Sequence, residues 1–455
     1  MTITLPQKEL PVLLSAQVCV IGGGSAGIAA AAAAAKNGAK TILVERLAFL
    51  GGTTTAGMVC IWHLSDGEKQ VVKGVAQELV ERFPLTGPDA IQVTPGYPVL
   101  PGKSADKSHE FPVEIAKRVF EEYVTECGAE LLYYTTVADV ILDGDRIQAL
   151  AVATKNGMQA ICADYFVDCS GDANIAAMAG VPFHFGRNED GRVQGMTMMF
   201  QLGGIDGTAC EKYTFHSPET QKILDDMARE RDAGRFPPFG PIDFHYYWKG
   251  GHANMNPASG DPTDERELTR CTLETRARIP KYLEYYREHV PGFQEVYVTR
   301  CADEIGIRES RRICGKKTFT LEDMMAERRF SDAIGHGFWC LDIHDPKGSG
   351  STTWEEGSKR HFALPKGHSY QIPFGILVPE KITNLLVAGR CVSASHEGIA
   401  SLRIQSACMV MGQAAGTACA MASETKIPLS EVDISALQYR LRTQGAYIEP
   451  LPDSE

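Results

Sequence analysis

Val18-Cys-Val-Ile-Gly-Gly-Gly-Ser-Ala-Gly-Ile28 leads an apolar strand directly into the pattern G-x-G-x-x-G, and seven alanines follow at residues 29–35. In a nucleotide-binding βαβ unit the first glycine permits a tight turn, the second lets backbone approach a pyrophosphate, and the third lets the helix pack on the strand. The helix N-terminus presents free N–H groups to the phosphates. We therefore expect a dinucleotide to bind at Gly22, Gly24, Ser25, Ala26 and Gly27.

A second strand and an acidic residue continue this unit. The strand Thr41-Ile-Leu-Val44 is followed by Glu45, which lies about 20 residues after the glycines, as in nucleotide-binding units. A carboxylate at this position accepts hydrogen bonds from ribose hydroxyls and disfavours a 2′-phosphate. The spacing therefore predicts a cofactor that lacks this phosphate.

The segment after Glu45 favours a flavin dinucleotide over a nicotinamide dinucleotide. Two glycines followed by three threonines suit a loop that wraps the diphosphate and ribityl parts of FAD, although a chance Gly-rich loop is the alternative. Two later apolar strands, Tyr165-Phe-Val-Asp-Cys-Ser-Gly-Asp172 and Asn384-Leu-Leu-Val-Ala-Gly-Arg390, end in small residues that are expected to abut the cofactor. The further cofactor-binding residues predicted are Arg46, Gly51, Gly52, Thr53, Thr54, Thr55, Val137, Gly171, Gly389, Arg390, Ser401 and Leu402.

Several motifs, taken together, resemble one bacterial family. They are Glu45 with Gly51-Gly52-Thr53, Ser170-Gly171-Asp172-Ala-Asn-Ile-Ala176, Ile307-Arg-Glu-Ser-Arg-Arg312, Asp342-Ile-His-Asp-Pro346, Ala388-Gly-Arg-Cys-Val-Ser-Ala-Ser-His396 and Gly412-Gln-Ala-Ala-Gly416. The set is similar to the bacterial FAD-dependent oxidoreductase family, in the glutathione-reductase-like class of flavoproteins and distantly related to the flavoprotein subunits of fumarate reductase and succinate dehydrogenase. The resemblance covers nearly the whole chain and implies the fold and FAD. It implies no substrate, because most members have no assigned reaction.

The order of elements predicts an α/β fold with a Rossmann-like parallel sheet. Asp143-Gly144 and Asn156-Gly157 are hairpin-turn signals, so residues 137–167 are predicted to form a three-stranded antiparallel meander. Residues 182–370 carry no nucleotide motif and are predicted to form an inserted α+β substrate domain. The FAD-binding domain is then discontinuous and comprises residues 1–181 and 371–455. Gly412 and Gly416, on one face of a helix, are expected to let that helix approach the sheet closely.

Composition and charge argue against several classes of protein. The chain has 455 residues, 44% of them hydrophobic, and a net charge of −12, which disfavours nucleic acid or an anionic membrane as a partner. No apolar run reaches the roughly 18 residues of a membrane span. Because no secretory signal precedes Gln17, we expect a cytoplasmic protein. The 13 cysteines form no C-x-x-C motif, which disfavours an iron–sulfur cluster or a redox-active disulfide on this chain.

The first candidate catalytic residues are arginines. Ile307-Arg-Glu-Ser-Arg-Arg312 places three guanidinium groups within five residues of an otherwise apolar segment. Arg308 and Arg311 can bind a carboxylate or polarise an oxyanion. The alternative is that these arginines form ion pairs with Glu304, Glu309 and Glu327.

A second motif supplies a candidate acid–base pair. Asp342 and His344 alternate along an extended segment, so Asp342 can orient the His344 ring and determine its tautomer. A purely structural histidine is one alternative. A metal site that also uses Asp345 is another, but it lacks a fourth spaced ligand, so no metal is predicted.

The third motif follows the last predicted strand of the cofactor domain. His396 and Arg403 are expected to contact substrate or flavin, and a helix beginning at Ser401 is expected to direct its N–H groups at the flavin pyrimidine edge. Arg403 can instead cap Glu397. His63 lies where some related flavoproteins attach FAD covalently, but only its location supports such a link.

The sequence predicts an FAD-dependent dehydrogenase or oxidase that transfers a hydride between a small polar, anionic metabolite and the flavin N5. The catalytic residues would be Arg308, Asp342, His344, His396 and Arg403. One alternative is a flavin-dependent reductase of an activated double bond, similar to fumarate reductase, and another is an electron-relay flavoprotein without substrate chemistry of its own. The electron acceptor and the oligomeric state stay open, a homo-oligomer included.

Overall fold

The structure is a computed structural model. It describes residue 3 and residues 8–84, 92–94, 97–100, 103–105, 108–214, 217–244, 247, 250, 252–350 and 362–449. Within these residues, no helix is both long enough and apolar enough to cross a membrane.

Within the described residues, strands and helices alternate at the start of the chain, whereas three helices follow the last strand. The strands are β1 (Val12–Ile21), β2 (Thr41–Val44), β3 (Ile61–His63), β4 (Gln92–Thr94), β5 (Tyr97–Leu100), β6 (Lys103–Ala105), β7 (Ser108–Glu110), β8 (Glu130–Leu132), β9 (Thr136–Asp143), β10 (Arg146–Thr154), β11 (Gly157–Asp168), β12 (Phe183–Phe185), β13 (Met196–Thr197), β14 (Phe200–Gly203), β15 (His252–Ala253), β16 (Pro257–Ala258), β17 (Tyr297–Cys301), β18 (Arg311–Ile313), β19 (Ala333–Gly337), β20 (Tyr370–Pro373) and β21 (Leu385–Val387). The helices are α1 (Ser25–Lys36), α2 (Val75–Glu81), α3 (Val113–Glu126), α4 (Asn174–Met178), α5 (Gly207–Cys210), α6 (Pro218–Asp232), α7 (Glu265–His289), α8 (Leu321–Met325), α9 (His396–Leu402), α10 (Gln405–Thr425) and α11 (Ile434–Thr443).

The central sheet is parallel where it meets the glycine motif. Strands β8, β2, β1, β11 and β21 pair in that order, and all of these pairs are parallel. The last four residues of β1 are buried and apolar, as expected for a strand covered on both faces. Ile21 lies beside Val44 and Asp168 in the register. The glycine loop, Glu45 and Cys169 directly follow these three residues. They therefore lie at the same edge, the carboxyl end of the sheet, where open α/β sheets bind ligands.

The predicted meander is present and is continuous with the parallel sheet. Strands β9, β10 and β11 are antiparallel neighbours, and Gly144 in the first turn and Gly157 at the start of β11 both have positive φ. The first half of β11 pairs with β10, whereas its last residues pair with β21. The third strand of the meander is therefore also a central strand of the parallel sheet.

Helices α1 and α10 pack closely, and this contact corrects one expectation. A methyl group on Gly412 would lie 2.1 Å from the Ala26 carbonyl oxygen, and one on Gly416 would lie 2.0 Å from the Ala30 carbonyl oxygen. The close approach predicted for these glycines is therefore to helix α1 and not to the sheet. The reason is that α1 is built from alanines, which leave its backbone accessible to a second helix.

The middle of the chain forms small antiparallel pairs and a second apolar core. Strand β14 pairs with β15 and β17, β13 pairs with β16, and β12 pairs with β18. Helix α7 begins where the Asp264 carboxylate accepts hydrogen bonds from two backbone N–H groups, and its Tyr282 and Tyr286 are buried against this core. The division into two domains remains a prediction.

Candidate active site

A large cavity lies at the carboxyl edge of the parallel sheet. Its volume is about 400 Å³, within the ~300–1,000 Å³ of ordinary small-molecule pockets. The glycine loop and the ends of β2, β11 and β21 form one wall, and residues between β13 and the segment after β19 form the other. The cavity therefore brings the nucleotide loops and residues from the middle of the chain to one space.

The phosphate end of the cavity is built from two glycine loops. Ile28 N donates to Gly24 O, so the N–H groups of the three preceding residues are outside the helical ladder of α1. Gly51 N donates to Gly23 O at 2.7 Å and joins the second loop to the first. A methyl group on Gly24 would meet no other atom closer than 3.9 Å. Bare backbone thus faces open space beside a helix N-terminus, as a pyrophosphate cradle requires.

The predicted cofactor residues divide into two groups. Those that line the cavity are Gly22, Gly24, Ser25, Ala26, Glu45, Arg46, Gly52, Thr53, Val137, Gly171, Gly389 and Arg390. Those that do not line it are Gly27, Gly51, Thr54, Thr55, Ser401 and Leu402. A methyl group on Gly27 would lie 1.7 Å from the Gly22 carbonyl oxygen, so this glycine serves the packing of helix on strand.

Two of the predicted threonines support the second loop from within. Thr55 Oγ1 donates to Leu50 O at 2.7 Å, and Thr54 Oγ1 contacts the side-chain oxygen of Gln405. Both threonines are fully buried. Their hydroxyl groups therefore have partners within the protein, Leu50 and Gln405, as a buried polar group requires.

Glu45 and Arg46 lie side by side on the cavity wall. Glu45 Oε2 accepts from Gly23 N at 2.7 Å, and Oε1 accepts from Leu47 N at 2.8 Å. Each oxygen keeps acceptor capacity for a ribose hydroxyl, since an ionised carboxylate has about four lone-pair sites. Arg46 forms an ion pair with Glu304, which also lines the cavity.

A second polar group lies at the ends of β11 and β21. Asp172 Oδ1 lies 2.7 Å from Arg390 Nη1 and accepts from Ser310 Oγ at 2.6 Å. Arg311 donates to Asp172 O at 3.1 Å and to Asn174 Oδ1 at 3.0 Å. Arg311 therefore holds this loop and does not line the cavity.

The helix expected at Ser401 starts four residues later. Residues 401 and 402 end α9, and α10 begins at Gln405 after Ile404, whose backbone is extended. Ile404, Gln405 and Cys408 line the cavity. The Ser401 hydroxyl instead donates to Trp339 O at 2.6 Å. The helix N-terminus that faces the cavity is therefore that of α10.

Arg308 lines the cavity and is held by neutral acceptors. Its Nη1 donates to Gly195 O at 2.8 Å and to Thr197 Oγ1 at 2.7 Å, and its Nη2 donates to Asn254 Oδ1 at 3.0 Å. None of the three glutamates considered from sequence pairs with it. They pair with other residues: Glu304 with Arg46, Glu309 with Arg312 and Glu327 with His368. Burial and the Arg403 cation lower the pKa of Arg308.

Asp342, His344 and Arg403 form one cluster on the same cavity wall. Asp342 Oδ1 lies 3.3 Å from His344 Nε2, and Asp342 Oδ2 lies 2.8 Å from Arg403 Nη2. Arg403 also donates to Asp342 O at 3.0 Å, so it pairs with Asp342 and not with Glu397. All three side chains line the cavity.

Burial and the neighbouring charges both shift the pKa values in this cluster. Burial alone would raise the pKa of Asp342, but Arg403, His344 and Arg308 together outweigh it and hold the pKa below its ordinary value. Burial, reinforced by the Arg308 cation, lowers the pKa of His344 to about 4. At neutral pH the cluster therefore contains an ionised carboxylate, a neutral imidazole and a guanidinium cation.

His396 lies outside the cavity lining, unlike the other predicted catalytic residues. Its Nδ1 lies 2.8 Å from Glu309 Oε2, and Glu309 also pairs with Arg312. These side chains are almost fully buried. Glu309 Oε2 accepts from Gln194 N at 3.0 Å, and Gln194 Oε1 accepts from His344 N at 3.3 Å. His396 thus belongs to a buried ion group behind the wall that carries His344.

Several cavity residues were not predicted as substrate contacts. Trp339 lines the cavity, and its buried Nε1 has no hydrogen-bond partner among the described residues. The His63 ring stacks on Trp339 with 4.4 Å between centroids, and both His252 and Asn254 also line the cavity. Asn254 follows the short strand β15 and reaches the site only through antiparallel pairing with β14. No local sequence signal marks such a residue.

The fold and the cavity define a dinucleotide-binding protein with a separate polar cluster beside the nucleotide site. Among the described residues, no group of three or more His, Cys, Asp or Glu side chains could hold a metal ion. The polar groups fit FAD, because the glycine loops and helix N-terminus suit its diphosphate and Glu45 suits its ribose.

The chain belongs to the FAD dependent oxidoreductase family, whose model matches residues 17–441. It is therefore an FAD-dependent oxidoreductase, and FAD is its cofactor. The closer resemblance to the glutathione-reductase-like class and to fumarate reductase remains a prediction. No curated protein matches the chain.

Solved structures show distant similarity. A geranylgeranyl bacteriochlorophyll reductase-like protein from Thermoplasma acidophilum is 12% identical, with 95% of this chain and 84% of that chain covered and a TM-score of 0.44. For p-nitrophenol 4-monooxygenase from Pseudomonas putida DLL-E4 the identity is 11%, the coverage is 94% and 85%, and the TM-score is 0.44. For L-proline dehydrogenase from P. horikoshii these values are 12%, 95% and 99%, and 0.37. Similarities at this level bear on no substrate.

Proposed function

We propose that the protein transfers a hydride between a small polar, anionic metabolite and the flavin N5. The observation that carries this proposal is that Arg308, Asp342, His344 and Arg403 line the same cavity as the glycine loops. When bound, FAD supplies a two-electron acceptor. The protein itself must supply a base, a group that orients the base, and a cation that holds the substrate anion.

In this proposal His344 is the general base. A neutral imidazole carries its proton on the nitrogen that faces a carboxylate, here Nε2 towards Asp342 at 3.3 Å. Nδ1 is then the basic nitrogen and takes the proton of a substrate hydroxyl. Asp342 orients the ring, and Arg403 keeps Asp342 ionised. Arg308 binds the substrate anion.

The reverse reaction is a second candidate, because the pKa of Arg308 is lowered by burial and by Arg403. A guanidinium group with a lowered pKa is a better proton donor, as reduction of an activated double bond requires. Oxidation of a hydroxyl compound remains the favoured direction, since the neutral His344 is a base and not an acid at neutral pH.

The test is anaerobic stopped-flow bleaching of the flavin against a panel of hydroxylated and anionic metabolites. His344→Gln should retain its FAD and lower the rate of flavin reduction by about 10²- to 10⁴-fold, the usual contribution of a positioned acid–base group. His184→Gln is the matched control, because His184 is exposed on β12. Bleaching at the wild-type rate in His344→Gln would refute the role of this residue.

A further inference from the structure

The cavity wall carries one positive charge that no described carboxylate neutralises. The Arg403 cation is paired with Asp342 at 2.8 Å. Arg308 has only neutral acceptors among its described partners, and no described carboxylate lies within ion-pair distance of it. With His344 neutral, the two cations and one anion leave a net charge of +1. A ligand with one negative charge would balance this wall.

The N–H donors of Arg308 that have no described partner indicate which chemical group of the ligand carries the negative charge. A guanidinium group has five N–H donors, and three of them have partners in Gly195, Thr197 and Asn254. The two that remain are Nε–H and one hydrogen on Nη2. Two donors on neighbouring nitrogens match the two oxygens of a carboxylate.

The same charge count disfavours more highly charged ligands. A phosphate monoester carries about −1.5 to −2 at neutral pH, and a dicarboxylate carries two full charges. The second charge would lie on a wall that already contains ionised Asp342, whose field also reaches Arg308 and His344. Repulsion in a partly buried site of low dielectric is costly.

We propose that the substrate is a 2-hydroxy monocarboxylate, whose single carboxylate binds Arg308 and whose hydroxyl faces His344. This inference rests on the proposed function and names its substrate class. In the reaction, the hydroxyl proton goes to His344 Nδ1 and the hydrogen on the same carbon leaves as a hydride to the flavin. The carbon–oxygen single bond becomes a carbonyl, so the product is a 2-oxo monocarboxylate. The buried Trp339 Nε1 is an additional donor for an oxygen of either compound.

Binding to the oxidised holoenzyme tests the charge without requiring turnover. The probes are pyruvate, 2-oxopentanoate and phenylpyruvate, the neutral amide of 2-oxopentanoate, and 2-oxoglutarate, which matches 2-oxopentanoate in length but adds a second carboxylate. Dissociation constants are measured by isothermal titration calorimetry and by flavin difference spectra. We expect at least one monocarboxylate to bind, and both 2-oxoglutarate and the amide to bind at least about tenfold more weakly than 2-oxopentanoate, the scale of one charge-assisted hydrogen bond.

Variants of Arg308 test whether this residue is the cation that binds the carboxylate. Arg308→Gln should weaken monocarboxylate binding by about 10- to 100-fold, and Arg308→Lys should be only partly effective, because a point charge does not reproduce the guanidinium fork. Arg118→Gln, on the exposed face of α3, is the matched control. A lowered flavin reduction potential in Arg308→Gln, with unchanged carboxylate binding, would assign Arg308 to the flavin and overturn the inference.

The remaining outcomes separate this inference from the proposed function. If the monocarboxylates bind as expected but no 2-hydroxy acid bleaches the flavin, the proposed hydride transfer is wrong and the charge assignment stands. If uncharged alcohols bleach the flavin and no monocarboxylate binds, the substrate class is wrong and the hydride transfer stands. Equal binding of 2-oxopentanoate and its amide, or tighter binding of 2-oxoglutarate, would also overturn the inference.

Discussion

At the scale of single residues, the Glu45 carboxylate has two roles at once. It anchors Gly23 N–H at 2.7 Å and Leu47 N–H at 2.8 Å, and it lines the nucleotide cavity. Glu45→Gln removes the charge and one acceptor oxygen. The dissociation constant for FAD should rise by about 10- to 100-fold, since hydrogen bonds to charged groups contribute about 1.5–3 kcal/mol. Fluorescence titration of the apoprotein with FAD measures this change.

The exposed Glu81→Gln variant at the end of α2 should bind FAD as the wild type does. An unchanged dissociation constant in Glu45→Gln would mean that this carboxylate does not contact the ribose.

The lowered pKa of His344 predicts how the rate of flavin reduction depends on pH. A base must be unprotonated to act, and burial with the Arg308 cation lowers the pKa of His344 to about 4. The rate of flavin reduction should therefore be constant through neutral pH and fall about tenfold per unit only below that pKa. Anaerobic stopped-flow measurements from about pH 8 down to the acid limit of stability give the profile.

Two results would contradict this assignment. One is an acid limb near about 6.5, the ordinary value for histidine. The other is persistence of the same limb in His344→Gln.

At the scale of elements, the contact between α1 and α10 links packing to cofactor binding. A methyl group on Gly416 would lie 2.0 Å from the Ala30 carbonyl oxygen, which is backbone and cannot move aside cheaply. Gly416→Ala should therefore destabilise the protein by about 1–3 kcal/mol, as overpacking does. It should also weaken FAD binding, because a displaced α1 carries its N-terminus away from the diphosphate. Denaturant unfolding and FAD titration measure both effects.

The conservative variant Met421→Leu, half-buried on the same helix, is the control and should cost less than about 1.5 kcal/mol. Wild-type stability in Gly416→Ala would show that α10 can shift without cost.

Elements whose ends carry local sequence signals begin where those signals predict, and elements without such signals do not. Aspartate is a preferred N-cap residue, and α7 spans Glu265–His289 with Asp264 as its N-cap. The sequence predicts a helix beginning at Ser401, but α10 begins at Gln405 after Ile404. Ile404 is neither glycine nor proline and carries no capping side chain. Only its packing between the cavity and the helices determines where the chain turns.

At the scale of the whole molecule, buried histidines predict sensitivity to acid. The pKa values of His252, His336 and His344 are each lowered by burial to about 4. The unfolded chain binds a proton at about 6.5, so between these two values the unfolded state holds more protons. The contribution of these neutral histidines to the free energy of unfolding is then fully present above about pH 6.5. It falls as the pH drops towards 4, by up to about 1.4 kcal/mol per pH unit for each histidine.

His336 allows this prediction to be tested away from the cavity. Its Nε2 accepts from Glu449 N at 3.3 Å and its Nδ1 lies 3.0 Å from Ser369 Oγ, and only the neutral ring can accept at Nε2. The charges around it are those of Glu449, Arg329 and Lys69. In His336→Gln the loss of thermal stability between pH 6.5 and 4 should be smaller than in the wild type or in His184→Gln. Equal slopes in calorimetry would exclude His336 as a source.

The sequence by itself determined the nucleotide unit, the meander and FAD as cofactor. These features depend on short-range rules: glycine turns, alternating or continuous apolar residues, and a carboxylate at a set distance along the chain. It also indicated Arg308, Asp342, His344 and Arg403, which now lie in one cavity with the glycine loops. Tertiary structure alone decided that His396 pairs with the buried Glu309 and Arg311 with the loop after β11, that Gly412 and Gly416 meet α1, and that Trp339 and Asn254 join the site. The physical reason is that each of these contacts joins elements far apart in the chain, where packing and charge pairing choose the partner and no local pattern records it.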